Sequence, residues 1–351
     1  MVWNKDKIKL ENGAYAEAQA PYIISASRST DIPAFYSDWF FHRLRIGYST
    51  WTNPFNRVKS YISYANTRFI VFWSKNPRPL LPYLNELEDK GINCYIQFTL
   101  NDYEIEGLEK NVPPLEERIE TFHMLKERLG YNAVIWRFDP MILTQTIGID
   151  ELLRKLENIG NQLIGFSENL VFSFADILEY KKVKNNLEKN KIPYRLWDNS
   201  QMESFAQGLN HLNKSWGFKL ATCGENIDLK KYGIEHNRCI DGDLIVQRAY
   251  KDKLLMDFMG VKIQNPTPSL FGDINIPERA IILPNGQFFS SVHIKDKGQR
   301  RLCGCMAAKD IGEYNTCPHQ CEYCYANTSK EVAIENYKNH LISPLYESIT
   351  T

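Results

Sequence analysis

The chain has 351 residues, 43% of them hydrophobic, and its 42 Lys plus Arg are matched by 42 Asp plus Glu. That length can bury the core of one large α/β domain, and the balanced charge excludes a global basic field that would draw the protein onto nucleic acid, leaving only a local basic groove. Met1 to Asp6 lack an apolar signal core and no later run can span a bilayer, so the sequence predicts no membrane contact and a cytoplasmic protein.

In chain order, the first strong strand signal is Tyr22 to Ala26, which runs into Ser27-Arg28-Ser29-Thr30-Asp31-Ile32-Pro33. Thr30 or Asp31 can cap a helix whose first turn accepts Pro33, so this polar loop follows a strand end. The plain reading of Arg28 and Asp31 is an ion pair plus a cap; the functional one is a place in a site, because sites gather at the C-terminal ends of parallel strands. Tyr48 to Asn56, rich in aromatic and polar residues, reads as turn-rich, with packing under a loop favoured over lining a pocket.

Three further apolar runs have the same design. Arg68 to Ser74 ends at Lys75, Asn93 to Thr99 ends at Asn101, and Asn132 to Phe138, containing Arg137, ends at Asp139. Helical spacing over Leu80 to Lys90 and Leu115 to Leu129 separates them, and the alternation continues through Leu170 to Asp176, Pro193 to Asp198 and Gly217 to Glu225. About six or seven strand and helix units predict an α/β, TIM-barrel-like fold, either a complete or a partial parallel β/α barrel. Lys75, Asn101, Arg137 and Asp139 then converge at one face, and Arg28, Asp31, Lys75, Arg137 and Asp139 are the candidate catalytic or orienting residues. The basic run Lys181 to Lys191 reads as a solvated connecting helix. From about Met259 the alternation fades, with a hairpin expected over Ala280 to Phe289, where Asn285-Gly286 supplies the turn. The expected division is therefore a barrel-like domain over 1–258 and a cysteine-rich, metal-binding region over 259–351 packed on it.

Five of the eight cysteines lie between 303 and 324. Cys317, Cys321 and Cys324 have the spacing that binds three irons of a [4Fe-4S] cluster and leaves the fourth open, whereas structural zinc takes four ligands. Cys223, Cys239, Cys303 and Cys305 form a second possible set, for zinc or for an auxiliary iron-sulfur cluster; four thiolates alone do not distinguish the two. The plain alternative makes Cys223 and Cys239 core cysteines. Cys94 reads as buried in mid-strand; His319 has two readings, tuning of the cluster or an incidental surface residue, and the second is favoured.

The three-cysteine loop resembles that of the radical S-adenosylmethionine enzymes, including an aromatic residue at Tyr323, with spore photoproduct lyase among the similar cases. Over nearly the whole chain the sequence resembles the bacterial family called domain of unknown function 1848. The likeness lies in the Ser-Arg-Ser-Thr-Asp-Ile-Pro stretch, Trp136 to Pro140, Cys223 with Glu225, Cys239-Ile240-Asp241, and the end from Arg301 through Asp310-Ile311-Gly312 to Asn327. That second name implies no activity. The radical likeness implies cluster ligation by Cys317, Cys321 and Cys324, S-adenosylmethionine on the open iron with Tyr323 near its adenine and Asn327 as a further cofactor-binding residue, and a deoxyadenosyl radical that abstracts hydrogen from an unknown substrate, a small molecule or otherwise. An electron donor such as ferredoxin or flavodoxin would then be a partner. Two features depart from those enzymes: the loop comes last instead of after the first strand, and their glycine-rich segment is not evident. The alternatives are a zinc-stabilised barrel acting as a phosphoesterase-like hydrolase, or a non-enzymatic binding protein. The seven scattered histidines lower the case for the hydrolase.

Overall fold

The structure is a computed structural model that describes residues 3–268, 274–292, 294–296, 298–299 and 303–350. Arg301, named above, lies outside the described residues. One parallel sheet contains β1 (Ile23–Ala26), β2 (Phe69–Ser74), β3 (Asn93–Thr99), β4 (Val134–Met141), β5 (Asn169–Phe174), β6 (Lys219–Thr222), β7 (Ile234–His236) and β8 (Lys309–Asp310). Its spatial order, β7-β6-β5-β4-β3-β2-β1-β8, is the order strands take around a β/α barrel. Among the described residues no ladder joins β7 to β8, so the row stays open there.

The long helices are α1 (Ser37–Ile46), α2 (Leu115–Leu129), α3 (Ile149–Leu163), α4 (Lys181–Lys189), α5 (Asn199–Trp216), α6 (Gly242–Ala249), α7 (Lys253–Met259) and α8 (Lys330–Ile342). Successive strand residues point to opposite faces. Ile24, Ile70, Phe72, Ile96 and Trp136 therefore enter a core shared with α1, α2, α3 and α5, while Ile23, Val71, Tyr95, Ile135 and Val171 meet Ile245 of α6 and Leu255 of α7. Burial on both faces is what a parallel sheet requires, and it explains the near-continuous apolar runs. On α3 the buried Leu152, Leu156, Ile159 and Leu163 recur at helical spacing and lay one stripe on the sheet.

Several expectations change. Tyr48–Thr52, read as turn-rich, is a strand; it pairs with Lys59–Ser63 in a four-stranded sheet that also takes in Lys5–Lys9 and Tyr15–Gln19. The alternation of Tyr48, Thr50 and Thr52 with Ser49 and Trp51 is a strand period, masked by the neighbouring Asn53 and Pro54. Pro193 to Asp198 gives only Tyr194–Arg195, which pairs with Leu143–Thr144 outside the large sheet. β7 and β8, with three and two residues, were not foreseen. Residues 259–351, expected as a region packed on the barrel, contribute β8 to the sheet itself, against Ile24 and Ser25 of β1. The hairpin forms between Ala280–Ile282 and Phe288–Ser290, with Asn285 and Gly286 in the connecting turn.

Candidate functional site

A cavity of about 350 Å³ opens at the C-terminal ends of the strands. Arg28, Asp31, Lys75, Arg137, Asp139 and Tyr323 line it, together with all seven cysteines of the two predicted sets. Asn327 is buried but is not part of the lining, and Cys94 is buried within β3. The two sets thus share one chamber.

The wall after β1 is built from β8. Asp310 accepts hydrogen bonds from Ser25 Oγ at 3.0 Å, Ser27 Oγ at 2.7 Å and the Arg28 amide at 2.9 Å, which fixes the turn where the strand ends. Gly312 passes so close that an added Cβ would stand 1.9 Å from Ser27 Oγ. The Arg28 guanidinium makes no ion pair with Asp31; it stacks over Trp73 with its centre 5.4 Å from the ring centroid, and Arg137 stacks on the same ring at 5.4 Å.

Asp31 caps the short helix Ile32–Phe35 through the Ala34 amide at 3.0 Å. The same carboxylate accepts Ser74 Oγ and the Lys75 amide, both at 2.7 Å, and pairs with His319 Nε2 at 2.8 Å. Four partners make it a positioning group more than a free base. His319 is buried, not an incidental surface residue, because its ring is wedged between Asp31 and the Asn111 carbonyl and packs edge-on to Phe35. It belongs to the brace of the cysteine loop.

Lys75 reaches inward to Glu109, 2.6 Å away, and to the Tyr323 hydroxyl at 3.0 Å. Burial alone would lower its pKa, but Glu109 outweighs that and raises it. Burial would likewise raise Glu109, yet Lys75 and Arg118 hold its carboxyl down at about 2. Tyr323 donates to Glu109 and receives Asn101 Nδ2 at 3.0 Å, so its hydroxyl is committed within the protein while its edge lines the cavity. Glu109 escaped the sequence reading because its loop has no periodic signal. The clue was Lys75, a lysine at a buried strand end that needs a counter-charge.

Arg137 donates to Asp139 and Gln97 and, from Nη1 at 3.2 Å, to Cys239 Sγ. Burial opposes its charge, but Cys239 and Asp139 more than compensate and raise its pKa well above the ordinary value. Asp139 also accepts Ser173 Oγ. It is therefore held on two sides.

The three-cysteine loop is stitched from outside the cavity. Asn111 Nδ2 donates to the Pro318 carbonyl at 2.9 Å, the Glu322 amide to the Leu108 carbonyl at 2.9 Å, and Asn327 Nδ2 to the Cys317 carbonyl at 2.7 Å. Asn327 thus shapes the loop backbone. All eight cysteines are free thiols, and burial raises the pKa values of Cys317, Cys321 and Cys324. A bound metal reverses that preference, since its charge stabilises thiolates.

In the second set Cys223 Sγ and Cys239 Sγ are 3.1 Å apart, and Cys305 lies beside both Cys239 and Cys303. Among the described residues no group of three or more His, Cys, Asp and Glu side chains is arranged around a common metal position. The 3.1 Å contact is shorter than the roughly 3.8 Å that separates sulfurs bound tetrahedrally at about 2.3 Å to one ion. Among the described histidines His319 alone lines the cavity, and it is occupied with Asp31.

Residues 23–326 match the family model described as Domain of unknown function (DUF1848). The chain belongs to that family. The matched span of the DUF1848 domain runs from β1 through β8 to the three-cysteine loop, so it takes in every strand of the large sheet and both cysteine sets. No curated protein and no solved structure matches the chain. Among the described residues no helix is long and apolar enough to cross a membrane.

Proposed function

We propose that Cys317, Cys321 and Cys324 hold a [4Fe-4S] cluster with one open iron, and that the chain is a radical S-adenosylmethionine-type enzyme acting on a small substrate in the strand-end cavity. The observation that carries this reading is the shared lining: three thiols of one loop, with no disulfide among them, face the chamber that also holds Arg28, Lys75, Arg137 and Asp139. Three thiolates suit a cluster with an open position better than a closed zinc site. When bound, such a cluster with S-adenosylmethionine supplies one-electron chemistry for hydrogen abstraction, with electrons from a ferredoxin- or flavodoxin-like donor.

The chain's own residues do the positioning. Arg28 and Arg137, stacked on Trp73, offer cationic donors to a carboxylate, and Asp139 offers an acceptor to an amino group. Phe174 and Val183 contribute apolar wall that limits water. A metal-assisted hydrolase has less support, because among the described residues the one histidine in the lining is committed to Asp31.

Anaerobic purification, with iron and sulfide counted per chain and electron paramagnetic resonance of the reduced protein, tests the reading. About four irons are expected. The signal should shift on adding S-adenosylmethionine and vanish in the Cys317→Ala, Cys321→Ala, Cys324→Ala variant. No iron after anaerobic reconstitution would end the proposal.

A further inference from the structure

We propose that Cys223, Cys239, Cys303 and Cys305 form a closed tetrahedral zinc site that fastens together the two unpaired edges of the large sheet. Cys223 follows β6 directly and Cys239 lies in the loop after β7, at one edge. Cys303 and Cys305 belong to the segment leading into β8, at the other edge. Among the described residues no ladder joins these edges, although the Met306 amide donates to the Ile240 carbonyl at 3.0 Å close by. The thiols meet where the backbone pairing is missing.

The surroundings of the sulfurs are those of a thiolate site. Arg137 Nη1 and Asn237 Nδ2 each donate to Cys239 Sγ at 3.2 Å, and the Ile240 amide donates to Cys305 Sγ at 3.4 Å. Core cysteines packed as small apolar groups need no such donors, whereas metal-bound thiolates are held and tuned by them. Cys239 and Cys305 are almost fully buried, and Cys223 and Cys303 are half-buried on the cavity wall. Four thiolate ligands close a tetrahedron around one zinc ion and leave no open position.

Compactness selects a single ion over a cluster. The Cys223 and Cys239 sulfurs need to separate by less than about 1 Å from their 3.1 Å contact to reach tetrahedral spacing. A four-iron cluster would have to drive irons and sulfides between Cys223 and Cys239, whose sulfurs now touch. The inference is independent of the open-cluster reading, which concerns the other three cysteines.

The test uses the full chain carrying Cys317→Ala, Cys321→Ala and Cys324→Ala, so that the first set is silent. About one zinc per chain should copurify, and exchange with cobalt should give the ligand-field bands of a tetrahedral tetrathiolate site together with sulfur-to-cobalt charge transfer. Cys239→Ser on this background should weaken the charge-transfer band. If that variant fails to fold, alkylation mapped by mass spectrometry on the parent settles the matter: zinc should shield Cys223, Cys239, Cys303 and Cys305 together, and a chelator should release all four. A folded parent without zinc or a tetrahedral cobalt spectrum would overturn the proposal, and so would iron with sulfide at these four positions.

Discussion

His319 Nε2 and Asp31 Oδ2 stand 2.8 Å apart, which ties the three-cysteine loop to the loop after the first sheet strand across 288 positions of sequence. Asp31 also caps a helix and receives Ser74 and Lys75, so one carboxylate anchors three segments. Asp31→Ala should lose a cap and strand several buried donors, lowering unfolding free energy by about 3 kcal/mol. Urea denaturation measures the loss, and an unchanged midpoint would count against this anchoring role. His319→Ala should loosen the cysteine loop with a smaller effect on global stability, seen as faster alkylation of Cys317.

Glu109 supplies the acid-sensitive part of the site. Its folded pKa of about 2 lies below the ordinary carboxylate value of 4.5, so the carboxylate contributes stability above pH 4.5 that is lost as pH falls toward 2. The contribution is about 3 kcal/mol. Glu109→Gln should therefore be markedly less stable than the parent at neutral pH, with the gap shrinking between pH 4.5 and 2. Parallel stability curves over that range would refute the assignment.

Gly312 has no room for a side chain. An added methyl would stand 1.9 Å from Ser27 Oγ and 2.8 Å from Ser29 Oγ, so Gly312→Ala should cost about 1–3 kcal/mol and push the Arg28 loop out of place. Ser27→Ala should relieve part of that strain. A double-mutant cycle that showed simple additivity would exclude the contact.

Asn327 holds the carbonyl of the first loop cysteine, and Asn327→Ala removes a buried hydrogen bond worth about 1 kcal/mol. Its larger expected effect is on the loop: under the open-cluster reading, iron retained after anaerobic gel filtration should fall while the fold is kept. Full retention would make the bond dispensable.

The alternation of apolar runs and helical periods made most of the sheet legible, since β1 to β6 are largely buried and read as near-continuous apolar segments. β7 and β8 escaped because three or two residues carry no period. The polar residues at strand ends were found by position: Arg28, Lys75, Arg137 and Asp139 all reach the cavity. Their partners were harder to see. Asp310 reaches Ser27 across 283 positions, and Glu109 meets Lys75 34 positions away and Tyr323 214 positions away, so nothing local separates either acid from a solvated one. His319 was misread for the same reason: a lone histidine in a polar loop reveals no burial, and only the fold brings Asp31 to it.

The β8–β1 pairing also orders events during synthesis. Ser25 and Asp310 bond across 285 positions, so the turn at Ser27 and Arg28 cannot be set until the chain has been made past residue 310. Such distant contacts form late and slowly. A nascent chain on the ribosome therefore carries Cys223 and Cys239 with a half-built chamber around them, and its last wall arrives together with Cys317, Cys321 and Cys324. Whatever the thiols bind, the chamber is complete only once translation has passed them.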